Sequence, residues 1–474
     1  MPFPSPFLLA ALALTGVDVI DVVAGKSVPA QTVLIDNGRI AAMGAAGAVA
    51  IPAGAKSVDA RGFYLIPGLW DMHVHLRSNP VDRDKLLVDE NAALLELFPI
   101  HGVVGVREMG GDLSDHVLTW REQIRAGKRV GPRILTPGRK LDVAAPAWPG
   151  SIAVTSPEAA RSAVVQMKQL GADFIKVYFN QVEPPVFKAV MDEAHRAGLK
   201  VTGHLPPNLS LQTAFELGLD GMEHSTLDTP LEAAHAQFAA EAAARKQANL
   251  TMDTAETNRR RLFLHDAKEA GRLYPLLAAR PFWVTPTLLV QARVRYEIAE
   301  KDFSTDPRRR YFFSAIWASW DTKSGIRKPP AAPVLELLKR AVKRTAELTL
   351  QAHKAGVPIL AGTDCGVSNN YVMPGWSLHE ELEALVKAGL TPAEALRTAT
   401  VNPARWRGEE ASEGTVEKGK RADLVLLRSN PLETIASTRE IEAVFIGGEH
   451  YPRAKLDAML RAVAERAAVA SRQP

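Results

Sequence analysis

One texture dominates residues 67–404: a short apolar run, a turn, then a helical stretch, repeated many times. "VVGVREMG" precedes the helix-like "DHVLTWREQIRAG". Ser156-Pro157-Glu158 caps a helix running to about Leu170, because Ser accepts from a free backbone N–H and Pro is pre-set for the first turn. "DFIKVYF" then leads into "PPVFKAVMDEAHRAG", which Gly198 stops. "KVTGHL", a helix to Leu217 and "GMEHS" follow, and later "FWVTPTLLV", a long helix from about Val334 to Lys354, and "PILAGTD". Strands alternating with helices predict a parallel sheet, because parallel neighbours need a crossover connection between them. The number of units predicts an α/β fold of the closed (β/α)8 TIM-barrel kind, whose strands deliver their C-terminal ends to one functional face.

The two flanks read differently. Residues 18–66 alternate short apolar runs with turns, and Asn37-Gly38 is a hairpin signal. "GTVEKGKRADLVLLRSNP" and "IEAVFIGGEHYP" repeat that texture near the other end. We expect both ends to build one small β-sandwich domain, residues 1–66 and 405–474, the latter with a terminal helix, around a barrel at 67–404. A chain of 474 residues accommodates both parts, and 46% hydrophobic with 23% charged residues suits a protein with a sizeable core.

Net charge is +4 and the isoelectric point near 9.0, but acidic and basic residues interleave, so nucleic-acid binding is not expected. Cys365 is the single cysteine, which excludes an intramolecular disulfide. Residues 7–14 are apolar, but no Lys or Arg precedes them and the run breaks at Thr15-Gly16-Val17-Asp18, short of the roughly 20 residues of a membrane span. A first strand "LALTGVDVIDV" is the preferred reading and an atypical export signal the alternative, which leaves the compartment open between cytoplasmic and exported.

His73, His75, Lys176, His204, His224 and Asp364 all fall at or near C-terminal strand ends. In an extended strand His73 and His75 point to one side and can grip one ion, with zinc favoured by neutral imidazole. Taken alone, such a pair is as readily two solvated or hydrogen-bonded strand residues. His204 and His224, on successive strands, can offer two imidazoles to a neighbouring ion. Lys176 cannot ligate a cation as an ammonium, and burial beside a metal disfavours it further. It fits only as a carbamate formed with carbon dioxide; the alternative is an ordinary strand-end lysine in an ion pair.

"GLWDMHVHL", "FIKVY", "VTGHL", "GMEHS" and "ILAGTD", in that order, resemble the amidohydrolase superfamily of the binuclear, carboxylated-lysine type. "VREMGG", "WPGS", "PGWSLHEELEALVKAGLTPAEALRTATVNPAR" and "GTVEKGKRADLVLL" resemble its Xaa-Pro dipeptidase-like and imidazolonepropionase-like branch. The resemblance implies two divalent ions, zinc foremost: one on His73, His75 and Asp364, a second on His204 and His224, bridged by carboxylated Lys176. It implies attack of a metal-bridging hydroxide on a substrate carbonyl, with Asp364 relaying the proton to the leaving nitrogen. Dipeptides or N-acyl amino acids are the expected substrates. Cyclic amides, lactones and amide-bearing xenobiotics or toxins are the alternative, and a noncatalytic scaffold is the reading of another class. A homo-oligomer is expected.

Tyr178, two residues after Lys176, faces the same side and can donate to the carbonyl or oxyanion, or simply pack at the barrel mouth. Arg77, two residues beyond His75, has the spacing of the carboxylate-binding arginine of dihydroorotases, although "SNP" after it departs from that pattern; a surface charge is the alternative. Trp148 lines a pocket or packs on the barrel. His379, in a helix with Leu378, Leu382 and Leu385 on its buried side, reads as structural, and Cys365 as a small residue beside the site. Residues 296–333 interrupt the strand-helix rhythm, as a lid over the mouth or as a surface excursion.

Overall fold

Seventeen strands organise the computed structural model, which describes residues 10–77, 87–144, 146–179, 181–224, 227, 234–237, 240–241, 244, 264–321 and 330–470. The first five are β1 Leu12–Asp21, β2 Lys26–Asp36, β3 Arg39–Ala45, β4 Lys56–Asp59 and β5 Tyr64–Pro67. The hairpin between β2 and β3 turns at Asn37 and Gly38, with φ of 48° and 74°. Two successive positive φ values match the right-handed strand twist, which is why Asn-Gly sits there.

The middle of the chain carries β6 Leu69–Val74, β7 Val103–Glu108, β8 Arg133–Leu135, β9 Leu141–Asp142, β10 Ile152–Ala153, β11 Ile175–Val177, β12 Val201–Gly203, β13 Gly221–Glu223 and β14 Trp283–Thr285. All their pairings are parallel, in two sheets ordered β6-β7-β8 and β10-β9-β11-β12-β13-β14. The intervening helices end where the residues dictate: Ser156 accepts from Ala159 N–H at 3.2 Å, with Pro157 opening the helix Pro157–Gln169. The long helix runs Ala332–Lys354.

Two readings change in detail. "FWVTPTLLV" is split: β14 ends at Thr285, Thr287 takes φ 49°, and Leu288–Ala292 is helical. "PILAGTD" forms no regular strand; its Ile359 makes a single parallel bridge to Val284, and Cys365, the next residue after it, makes one to Val74. The segment lies between β14 and β6, with Leu360 N–H on Val284 O and Asp364 N–H on His73 O. Gly362 permits this, since a Cβ there would stand 2.8 Å from the Cβ of His73. At Gly203 a Cβ would reach within 2.0 Å of Val177 O, so only glycine lets β12 lie this close to β11.

β15 Leu424–Leu427, β16 Ile441–Ile446 and β17 Glu449–Pro452 join the N-terminal strands in one sheet, ordered β17-β16-β15-β5-β1-β2-β3, with β4 also on β1. Both chain ends therefore share a sheet. It is one continuous sheet, and Leu14, Val33, Leu65, Leu424 and Phe445 from its strands share one buried apolar cluster. The terminal helix Arg453–Ala470 leaves this sheet to pack Val463 among Leu94, Leu97 and Ile316.

Within 296–333, residues 322–329 lie outside the described residues. The remainder holds short helices at Pro307–Tyr311 and Ser314–Ser319, pinned by Trp320, whose Nε1–H donates to Val367 O at 2.9 Å. Among the described residues no helix is long and apolar enough to cross a membrane.

Candidate metal centre

The six strand-end residues meet at one mouth. β6 delivers His73, and His75 follows immediately; His204 comes one residue after β12 and His224 one residue after β13. His224 and Asp364 both adopt left-handed backbone, φ 63° and 57°. For non-glycine residues that costs on the order of 1–3 kcal/mol each, and such outliers gather at functional sites.

Asp364 divides the site. Its Oδ1 lies 3.4 Å from His73 Nε2 and 3.3 Å from His75 Nε2, whereas Oδ2 faces His224 Nε2 at 3.8 Å. The ligand atoms of His73, His75 and Asp364 all lie within 4.8 Å of one another. His204 packs edge-on to His224, ring centroids 4.7 Å apart. Lys176 is fully buried, and its Nζ has no hydrogen-bond partner or ion pair among the described residues. The ion-pair alternative for this lysine is therefore absent from the geometry.

Buried carboxylates hold the imidazoles in position. Glu223 accepts from His73 Nδ1 at 2.7 Å, which fixes the tautomer and leaves the Nε2 lone pair aimed at the site. Arg107 donates to the same carboxylate at 2.8 Å and, through Nε, to Met72 O at 2.7 Å. Burial alone would raise Glu223; the Arg107 guanidinium and His73 overcome it and hold the carboxyl well below its usual range. Asp71 accepts from Thr363 Oγ1 at 2.7 Å and from the backbone N–H of His73 at 3.2 Å, tying β6 to the segment that carries Asp364. His224 Nδ1 pairs with Thr287 Oγ1 at 2.8 Å.

Electrostatics keep the site receptive to cations. Burial lowers His224 to about 3, and burial with the neighbouring cations Arg77 and Lys176 puts His75 and His204 well below the ordinary imidazole value. These imidazoles are neutral ligands at pH 7. Burial also lowers Lys176 to about 8, which raises the share of free amine, the form that adds carbon dioxide. Orphaned buried nitrogens on His73 and Lys176, beside a carboxylate presenting each oxygen to different imidazoles, fit borderline divalent metals.

A cavity of about 690 Å³ opens above these residues. Tyr178 lines it, its ring 4.2 Å from that of His204, and so does Trp148, edge-on to Tyr178 at 6.4 Å. Arg77 is buried rather than a surface charge: its guanidinium stacks 4.0 Å from the Trp148 ring and donates to Ser368 Oγ. Pro330, from the segment that breaks the rhythm, and Arg295, just before that segment, also reach the cavity wall. His379 lies elsewhere, with Nδ1 2.9 Å from Thr438 Oγ1 and Nε2 3.0 Å from His101 O, as a structural residue does. Cys365 is buried and burial pushes its thiol well up, so it offers no thiolate.

Over residues 64–450 the sequence matches the amidohydrolase family. The chain belongs to the amidohydrolase family. It is accordingly a hydrolase of carbon–nitrogen bonds, on a fold that this family builds from a TIM barrel and a second domain. This amidohydrolase is 24% identical over 442 residues to an uncharacterized protein of Mycobacterium tuberculosis, covering 90% of this chain and 95% of the other. Among solved structures it is similar to a Xaa-Pro dipeptidase with bound methionine, at TM-score 0.64 and 20% identity, covering 94% of this chain and 100% of that one. Aspergillus niger ochratoxinase superposes at TM-score 0.65 and 19% identity, covering 94% and 96%.

Several residues of this amidohydrolase site escape a strand-end reading. Arg107 and Glu223 are charges inside apolar strand runs, the one signal that marks them. Thr287 and Lys140 carry no such signal, because their roles depend on turns that periodicity does not describe.

Proposed function

We propose that this chain is a binuclear metal amidohydrolase cleaving an amide bond in dipeptides or N-acyl amino acids. Its frame would be a closed (β/α)8 barrel at residues 67–404, with residues 1–66 and 405–474 forming the second domain, in a homo-oligomer. The observation carrying this reading is the division of Asp364, with Oδ1 toward His73 and His75 and Oδ2 toward His224.

His73, His75 and Asp364 would hold one divalent ion, zinc foremost, and His204 and His224 a second, with Lys176 shared as its carbamate. When bound, such ions lower the pKa of a water and polarise the scissile carbonyl. Tyr178 donates its phenolic hydrogen to the carbonyl oxygen, and Asp364 takes the proton from the attacking water and hands it to the leaving nitrogen. Arg77, held flat by Trp148, faces a substrate carboxylate.

The test is a screen of N-acyl amino acids and dipeptides against protein supplied with zinc and bicarbonate. Asp364→Asn should lower kcat by at least about a hundredfold and Lys176→Ala should abolish turnover. Two bound ions without hydrolysis of any member would overturn the substrate class; no bound ion would overturn the metal assignment.

A further inference from the structure

Lys140 stands in the same cavity and has no part in the chemistry above. It is 2% exposed and lines the cavity wall; its backbone carbonyl accepts from Ile152 N–H at 2.8 Å, while its Nζ makes no hydrogen bond or ion pair among the described residues. Its Nζ lies 5.3 Å from the Trp148 ring centroid and 5.9 Å from that of Tyr178, so two aromatic rings flank it. Arg77 stacks on the same Trp148 at 4.0 Å, which gathers two cations about one indole. Glu108, Asp364 and Asp142 are the carboxylates whose charge reaches Lys140, none at ion-pair distance, while Arg77 and Lys176 oppose it. Glu108 is turned to Thr136, whose Oγ1–H donates to it at 2.9 Å. A desolvated ammonium crowded by a guanidinium is unfavourable until an anion lies between them.

Another part of the cavity lining has a different character. In the sheet order β9-β11-β12-β13-β14, Lys140 precedes β9 at one end of the run, while Val290 and Val294 follow β14 at the other. These valines and Leu338 line the cavity there, beside Gln291 and Arg295. Asp364, His224 and Tyr178 line the same cavity.

Resting on the amidohydrolase reading above, we propose that Lys140, together with Arg77, anchors the free carboxylate of the substrate, while Val290, Val294 and Leu338 receive a bulky apolar acyl group. The substrate class is thereby narrowed to N-acyl amino acids with an aromatic or long aliphatic acyl chain. Lys140 is a specificity residue and does not touch the reacting atoms.

The experiment compares N-benzoylglycine, its carboxamide and N-acetylglycine. On the unsubstituted protein, benzoylglycine should bind at least about tenfold more tightly than either relative by calorimetry, since a charge-assisted contact and a buried ring are each lost. In Lys140→Met the preference for acid over carboxamide should fall at least about tenfold, through KM rather than kcat, and Lys140→Arg should restore most of it. Equal weakening of acid and carboxamide in Lys140→Met, or equal binding of all three to the unsubstituted chain, overturns the proposal. If the protein binds these ligands with the stated order yet hydrolyses none, the amidohydrolase substrate reading fails and the Lys140 assignment stands.

Discussion

Glu223 Oε2 accepts from Nδ1 of His73 across 2.7 Å, both fully buried, and Arg107 closes on the same carboxylate from the other side. A carboxylate behind a metal-binding imidazole fixes its orientation and raises its basicity. Glu223→Gln should therefore weaken metal binding by about 10–100-fold and cost about 3–5 kcal/mol of stability, since Arg107 is left without its counter-charge. Metal titration and urea unfolding of the variant check both, and an unchanged metal affinity would remove Glu223 from the site.

Lys176 makes an opposite prediction for the metal-free, unmodified chain. Burial lowers its amine to about 8, whereas the unfolded chain holds it near the ordinary lysine value. The unfolded state thus binds more protons between these values, and stability rises as pH climbs through that window. Lys176→Met removes the desolvated amine and should stabilise the metal-free protein at pH 7 by about 1–3 kcal/mol while abolishing activity. A lower melting temperature than the unsubstituted apoprotein would show that Lys176 has a compensating partner.

Thr287 reaches His224 Nδ1 through its hydroxyl at 2.8 Å, and its own left-handed turn is held by Glu381, which accepts from Leu288 and Leu289 N–H at 2.9 and 2.7 Å. Thr287→Val keeps the shape and removes the hydroxyl. We expect affinity for the second ion proposed above to fall by about tenfold or more, with the ion proposed at His73 and His75 less affected. Stepwise metal titration followed by elemental analysis separates the two, and loss of both ions together would mean that the turn has collapsed.

Away from the centre, burial lowers His101 to about 4 and His379 to about 3. Both remain neutral in the folded protein while the unfolded chain protonates them near pH 6.5, so stability is lost as pH falls below that value. Each group contributes a slope of up to about 1.4 kcal/mol per pH unit between its two values. The urea midpoint of the metal-free protein should drop clearly from pH 7 to pH 5, and His379→Gln should flatten that drop.

Residue pattern alone determined the alternation of strands and helices, the cap at Ser156, the hairpin at Asn37-Gly38 and the placement of imidazoles at strand ends, because each depends on neighbours a few positions apart. Strand alternation also put His73, in β6, and His75, just after it, on one side. It did not reveal that Glu223 and Arg107 lie behind them, since an ion pair between residues 116 positions apart exists only after β7 and β13 are brought together. Nor did it reveal that "PILAGTD" bridges β14 and β6 without a regular strand, which depends on the close approach at Gly362. The folded chain alone decided how Asp364 splits its oxygens between imidazoles and how Lys140 and Arg77 share one indole, because a side chain's partner across the site is set by backbone turns such as the left-handed ones at His224, Thr287 and Asp364. Local sequence places a residue at the mouth; packing of the whole sheet decides what it faces.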